Sequence, residues 1–298
     1  MRLRALAYPL YNVLRKAARI TGLMGPVRRL AGPAAGRFLY GLSPGGAGLA
    51  QIHGHAMYLA PSGSYPPLDM AMARYEPGTT RLFNETVKPG MVVVDIGAHV
   101  GYYTLLAAKR VGPTGKVYAF EPEQDNHTLL LKNIAMNGYD NVVATQMAVS
   151  DRMGSSTLYL TDLDSGRHSM YHQGLPERGS APVETTTLDS FLASEKWPHI
   201  NLVKIDVERA EAAVLDGMAH LMGEYADLKL IIEFNPALLQ GGGVAPLEFL
   251  ERLASPGWAI QIIEDVNGPL PLAEGDSTAL VDRLLAAESS VNLYCTHR

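Results

Sequence analysis

The sequence predicts an α/β fold, doubly wound around a mostly parallel sheet of seven strands. Three observations predict it. The β-branched run Val92-Val93-Val94 leads into Asp95 and then a turn holding Gly97 and Gly101, so a buried strand passes into a glycine turn. A second strand-like run, Lys116 to Phe120, ends in Glu121, at the distance expected of a βαβ unit. From there strand-like and helix-like segments alternate, which implies parallel strands joined by right-handed crossovers.

Taken in order, residues 3–20 repeat with helical period. Leu3, Leu6, Leu10, Val13, Leu14 and Ala17 share one stripe, and Arg4, Arg15, Lys16 and Arg19 fall opposite it. Such a stripe either packs on the domain or lies in a membrane interface. Residues 22–48 are rich in Gly and Pro and read as a linker. Residues 1–48 are therefore a basic amphipathic helical arm and linker, and 49–298 the main domain, with a small strand and helix extension over 49–90. Ile52 to Leu59 alternates as a strand, with His53 and His55 on one face. Glu76 to Val87 reads as a helix with Pro77 in its first turn.

Tyr102 to Arg110 reads as a helix, so the glycine turn lies at a helix N-terminus, where free N–H groups point outward. Glu123 to Met136 is the next helix, with Asn126 and His127 as solvated positions. Val142 to Val149 is a strand, and Ser155 to Thr187 a pair of short strands around the polar loop 162–179. Leu202 to Val207 is a strand, Ala210 to Met222 a helix, Leu228 to Phe234 a strand and Pro246 to Ala254 a helix. Ala259 to Ile263 and Val291 to Thr296 close the sheet.

Composition narrows the class. Of 298 residues 47% are hydrophobic, yet no uncharged apolar run reaches the 18 or so residues that a membrane helix needs. The single cysteine, Cys295, excludes an internal disulfide and any multi-cysteine zinc site, and fits a reducing compartment. No convincing secretory leader is present, so the expected location is the cytoplasm. The net charge of −5 conceals an asymmetry: residues 1–68 carry eight bases and no acid, leaving −13 on the rest. The basic segment 1–40 suits peripheral contact with the inner face of a membrane. The acidic body, without an aromatic-rich basic patch, argues against a nucleic-acid partner.

The spacing Asp95-x-Gly97-Ala98-x-x-Gly101 departs from the dinucleotide pattern G-x-G-x-x-G. It resembles the cofactor loop of the Rossmann-like class I methyltransferases that use S-adenosylmethionine. Tyr118-Ala119-Phe120-Glu121-Pro122 with Asn126, Ala148-Val149-Ser150-Asp151, Thr187-Leu188-Asp189 and Leu202-Val203-Lys204-Ile205-Asp206-Val207-Glu208-Arg209-Ala210-Glu211 resemble the FkbM family of that class. The resemblance runs from about Tyr75 to Pro236. It implies an antiparallel C-terminal hairpin, S-adenosylmethionine as cofactor, and O-methylation of a sugar, glycan or natural product. It also shows two departures: His99 stands where the family more often has asparagine, and Arg209 replaces a glycine. A positive φ at 209 would strain the arginine. Otherwise its guanidinium would narrow the pocket or pair with an anionic substrate. An impaired cofactor-binding scaffold is thus one alternative, and a nicotinamide-dependent oxidoreductase another.

The cofactor residues expected are Asp95, Gly97, Ala98, His99, Gly101 and Tyr102 at the first turn, Glu121 and Pro122 after the second strand, and Met147 and Ala148 after the third. Glu121 is suited to accept hydrogen bonds from a ribose diol. Asp206 and Glu208 lie at the fourth strand tip and point the same way if that strand persists. Glu233 ends the fifth strand, and His168 sits in the polar loop. Each of these four is a candidate base, substrate ligand or metal ligand for a hydroxyl acceptor. Glu211 opens the next helix and suits its N-terminus.

Overall fold

The computed structural model describes residues 49–59, 70, 75–161, 165–171, 177–254, 257–273 and 275–297. The arm expected over 1–48 lies outside them. The described chain opens with strands β1 (Leu49–Ile52) and β2 (His55–Tyr58) and helix α1 (Pro77–Thr86). An alternation follows: β3 (Val92–Ile96), α2 (Tyr102–Val111), β4 (Lys116–Phe120), α3 (Gln124–Met136) and β5 (Val142–Thr145). The chain then makes β6 (Ala148–Val149), β7 (Gly154–Thr161), β8 (Glu177–Thr186) and α4 (Leu188–Ser194). Alternation resumes through β9 (Leu202–Ile205), α5 (Glu211–Asp216), α6 (Ala219–Glu224), β10 (Lys229–Phe234), α7 (Pro236–Gly241) and α8 (Pro246–Ala254). The last elements are β11 (Trp258–Glu264), β12 (Gly268–Pro271), α9 (Ser277–Ala286) and β13 (Val291–His297).

The central sheet runs β12-β11-β13-β10-β9-β3-β4-β5. From β10 to β5 all pairs are parallel, and β13, β11 and β12 add antiparallel strands. The doubly wound sheet and its antiparallel C-terminal end are those expected. It has eight strands rather than seven, because Gly268–Pro271 folds back on β11 at the edge. Side-chain alternation explains why both faces are covered. Val94, Ile96, Tyr118 and Phe120 enter one core, and Val93, Val117 and Ala119 enter the other. The chain leaves β3 toward β4 on one side and meets β9 on the other. The carboxyl ends of β3 and β9 therefore flank the crevice where ligands bind in open α/β sheets.

Local expectations need four corrections. Val142 to Val149 is not one strand: β5 ends at Thr145, and β6 joins a separate sheet ordered β6-β8-β7. The strand expected over 52–59 is a hairpin whose turn is His53-Gly54, with His53 at φ 50°. The helix expected over 210–222 is interrupted at Gly217, where a Cβ would lie 2.0 Å from the Ser150 carbonyl oxygen. Finally, β9 stops at Ile205, short of Asp206 and Glu208.

The hairpin docks through two asparagines one helical turn apart. Asn133 is fully buried on α3. Its Oδ1 accepts from Tyr58 N (2.7 Å), and its Nδ2 donates to Tyr58 O (2.9 Å) and Val100 O (2.8 Å). Asn137, just past the helix end, exchanges the same pair of bonds with Ala56, at 3.0 and 2.8 Å. The side-chain amides thus complete the outer edge of β2 as a neighbouring strand would. Asn133→Ala strands several buried backbone groups and is expected to cost about 2–3 kcal/mol in urea unfolding. Amide exchange at Ala56 and Tyr58 should accelerate in the same variant.

Candidate active site

The turn after β3 is built from left-handed residues: Gly97 (φ 84°), His99 (φ 51°) and Gly101 (φ 97°), the last capping α2. Gly97 N and Ala98 N donate to Phe120 O at 3.0 and 2.9 Å, which ties the turn to the end of β4. Glycine at 97 is required by the protein itself, since a Cβ there would sit 1.8 Å from the Asp206 carbonyl oxygen. Asp95 is buried, and its Oδ2 accepts from Thr104 Oγ1 at 2.6 Å, clamping the strand end to the first turn of α2. Burial pushes its carboxyl above the usual range, while Lys204 and the Thr104 bond pull it back.

Glu121 is the organised carboxylate of this end of the sheet. Its Oε2 accepts from His99 N (2.8 Å) and its Oε1 from Glu123 N (2.9 Å). Burial raises its carboxyl to about 7, against the pull of these bonds. It opens into a crevice continuous with solvent, whose wall includes Phe120, Pro122, Met147, Ala148, Val149 and Leu158. The segment 165–170 covers this space. Ser165 Oγ lies 2.8 Å from His99 Nε2, Asn126 Nδ2 donates to Ser165 O (2.9 Å), and Ser169 Oγ donates to Glu208 O (2.6 Å). Burial lowers the His99 imidazole to about 4, so the ring is neutral near pH 7. Asn126 and His127 are buried, not solvated, because α3 turns that face toward the cavity and β5.

A second space of about 890 Å³ adjoins the first, and Gly97, His99, Asp206 and Glu208 line both. Lys204, only 1% exposed, stands at its base, with Nζ 2.9 Å from Asp206 Oδ2 and 4.6 Å from the Tyr103 ring centroid. Burial alone would discharge it, but Asp206, Glu76 and Asp95 hold the ammonium charged, above its ordinary range. Glu76, at the start of α1, accepts from the Tyr103 hydroxyl at 2.7 Å. Lost hydration pushes Glu76 up, with Lys204 acting the other way. Glu233 is driven well above the usual carboxylate range, first by burial and then by Asp206, Glu208 and Glu211.

The expected residues divide between the two spaces. Gly97, His99, Glu121, Pro122, Met147 and Ala148 surround the first, with His168. Asp95, Ala98, Tyr102 and Glu233 face the second. Gly101 lines neither and packs against Leu130. Asp206 and Glu208 sit between the spaces, placed there by a turn rather than by strand alternation, with Glu208 at φ 50° and Arg209 at φ 90°. His168 Nδ1 accepts from Thr161 N (3.2 Å), which leaves Nε2 as the nitrogen that carries the ring proton. Arg209 has the positive φ that strains a non-glycine residue, and its guanidinium lies on Gly241, where a Cβ would be 2.8 Å from Cζ. It lines neither of the two spaces. Glu211 is buried, accepts from Arg209 N (3.3 Å) and is raised to about 7 by burial, so it pins the 206–210 turn from the head of α5.

Sequence reasoning missed Tyr75, Glu76, Tyr103, Lys204, Ser165 and Ser169. Only Lys204 carried a signal, as a lone charge inside an apolar strand. Among the described residues no three His, Cys, Asp or Glu side chains are arranged to hold a metal, and no helix is long and apolar enough to cross a membrane.

A parallel sheet with a glycine turn after one strand and a ribose-type carboxylate after the next defines a Rossmann-like, nucleotide-binding class. The chain belongs to the FkbM methyltransferase family: the model of the methyltransferase FkbM domain matches residues 95–255. It is 26% identical over 150 residues to the hexuronic acid methyltransferase AglP of Haloferax volcanii, covering 50% of this chain and 59% of that one. It is 30% identical over 156 residues to methyltransferase sdnD of Sordaria araneosa, covering 42% and 60%. The chain thus spans about three fifths of the length of these curated relatives. Among solved structures it is similar to a putative rRNA methylase from Clostridium thermocellum (TM-score 0.43, 12% identity, 73% and 92% covered). A second is an S-adenosylmethionine-dependent O-methyltransferase from Thermotoga maritima (TM-score 0.42, 14% identity, 74% and 65% covered).

S-adenosylmethionine is the cofactor of this family, and the first space fits it. A buried carboxylate with each oxygen fixed by a backbone N–H is ready for a diol, and the apolar wall beside it is suited to an adenine.

Glu121 gives a pH dependence of known sign. Native Glu121 and Glu211 keep their protons up to about pH 7, whereas the unfolded chain releases them near 4.5. Both therefore weaken the fold progressively as pH rises from about 4.5 to 7, and no further above. Without cofactor, the thermal midpoint should carry this downward slope, and the Glu121→Gln variant should lose about half of it. Cofactor affinity by calorimetry should rise across pH 6 to 8, because the diol needs the ionised carboxylate.

Proposed function

We propose that this protein transfers a methyl group from S-adenosylmethionine to a hydroxyl of a sugar, glycan or natural product. The observation that carries the reading is the oriented Glu121 carboxylate, facing an apolar-walled crevice that adjoins a second, acid-lined one. The names of two relatives support it, one acting on a hexuronic acid and both described as methyltransferases. The cofactor, once bound, supplies an electrophilic methyl group on a sulfonium. The chain has to hold the acceptor oxygen in line and receive its proton, and orientation alone is worth several kcal/mol.

Glu121 takes the ribose hydroxyls, while Pro122, Met147 and Ala148 flank the base. Gly97, Ala98 and His99, with Asp95 behind them, shape the turn around the methionine end. Asp206 and Glu208 receive the proton and orient the acceptor, because they line the wall common to both spaces. Glu233, held protonated, donates a hydrogen bond instead of acting as the base. Arg209 motivated the scaffold alternative, and its side chain lies on Gly241 away from both spaces, which favours a working enzyme. The acceptor is a small molecule or glycan. The protein acts on the cytoplasmic side of a membrane, with residues 1–40 as peripheral contact.

Calorimetry with S-adenosylmethionine tests the cofactor half of this reading. Glu121→Ala should weaken binding by about 1–3 kcal/mol, the value of charged hydrogen bonds left unmade. Tight binding of NADH in its place would overturn the reading. Turnover tests the other half. Asp206→Asn and Glu208→Gln should each lower kcat by roughly 10²–10⁴-fold with cofactor affinity nearly unchanged. Undiminished turnover in both variants would remove these residues from proton transfer.

A further inference from the structure

We infer that the second space receives the acceptor, and that this acceptor is an uncharged polyhydroxylated ring, not one bearing a carboxylate. The inference rests on the methyltransferase reading above and adds to it the class of acceptor.

Position comes first. The two spaces share Gly97, His99, Asp206 and Glu208, so a molecule in the second faces the proposed proton acceptors across one common wall. The lining of the second space combines flat apolar faces with hydrogen-bonding groups, as a sugar ring requires. Tyr75 and Tyr102 pack edge to face with ring centroids 5.2 Å apart, and Tyr102 and Tyr103 do so at 5.1 Å. Glu76 at the head of α1 and Glu233 on β10 also line the space, two carboxyls that exchange hydrogen bonds with hydroxyls in either protonation state.

Charge then discriminates. Among the described residues two cations line the space, and both face carboxylates: Lys204 lies 2.9 Å from Asp206, and Arg167 lies 3.9 Å from Glu208. Five carboxyls of the described residues line it: Glu76, Asp95, Asp206, Glu208 and Glu233. These acids outnumber the described cations, and Glu233 keeps its proton among them. An ionised carboxylate on the acceptor would enter the same acid-rich, partly dehydrated lining, which therefore selects against an acidic ring. A neutral ring meets only hydrogen-bond partners there.

Tyr75 and Glu76 precede the family-matched residues 95–255, so part of this lining comes from the chain's own N-terminal extension. Glu76 holds φ 42° and ψ 64°, a left-handed conformation that non-glycine residues seldom adopt. The strain places its carboxyl at the mouth of α1, within reach of the Tyr103 hydroxyl.

The test uses the full chain with tritiated S-adenosylmethionine and matched pairs of sugars. The neutral members are methyl glucopyranoside, galactopyranoside and mannopyranoside, and their partners are the corresponding hexuronides. At least one neutral glycoside should be methylated with kcat/KM 100-fold or more above its hexuronide. Equal or better methylation of the hexuronides overturns the inference. So does methylation of no sugar by protein that binds S-adenosylhomocysteine in calorimetry, and that result leaves the cofactor reading standing. Absence of such binding would instead remove the methyltransferase reading itself. Glu76→Gln should narrow the neutral-to-acidic ratio about tenfold, whereas Glu233→Gln, which exchanges one uncharged group for another, should leave the ratio unchanged. A loss shared equally by both substrates in Glu76→Gln, with the ratio unchanged, would assign that carboxyl to scaffolding and overturn the charge argument.

Discussion

The site depends on one close approach between two backbone segments. The turn leaving β3 lies so near the end of β9 that the Asp206 carbonyl fills the volume a side chain at 97 would need. Asp206 N donates to Ile96 O at 3.0 Å, continuing the β3–β9 ladder one step past the strand. Two strands far apart in sequence are thereby closed on each other at their carboxyl ends, and everything functional is hung from that closure. His99 and Glu121 fall on one side of it and Tyr103 and Lys204 on the other, while Asp206 and Glu208 form the seam. The carboxylates are thus placed by main-chain geometry, with little reliance on side-chain rotamers.

Around this seam the protein sorts its acids into two kinds. Lys204 is buried at a cost that only neighbouring negative charge offsets, and Asp206 supplies it at direct contact. Among the described residues, Glu121, Glu211 and Glu233 are buried without such a partner. Burial, with neighbouring carboxylates behind it, makes Glu233 keep its proton, and Glu121 and Glu211 hold theirs up to about neutrality. An ionised group beside protonated ones provides acceptors and donors within a few ångströms from a single residue type.

The fold was legible because its signals are periodic and local. The runs 92–96 and 116–120 stand out as apolar and β-branched, and β3 and β4 occupy those bounds. Glu121 was legible for the same reason, since its place follows from the end of a strand. What escaped depends on contacts between distant segments. Nothing near Glu76 announces that Tyr103 and Lys204 will surround it. Asn126 looks like an ordinary polar helix position until the segment at Ser165 arrives to take its hydrogen bond. The 206–209 stretch continues an apolar strand in pattern, yet it bends into left-handed residues because Glu211 draws the Arg209 amide back toward α5. The pairing of Asn133 and Asn137 with β2 is likewise silent in sequence, as helical spacing alone does not say what the face meets.

Arg209 shows how two positions share one movable contact. Its side chain rests where residue 241 lacks a Cβ, and its own carbonyl lies 3.3 Å from where a Cβ at Gly242 would stand. A side chain at 241 would push the guanidinium aside, which a long arginine permits, and a smaller residue at 209 would bare the backbone of 241. The two positions are therefore coupled, so the cost of changing either depends on what stands at the other.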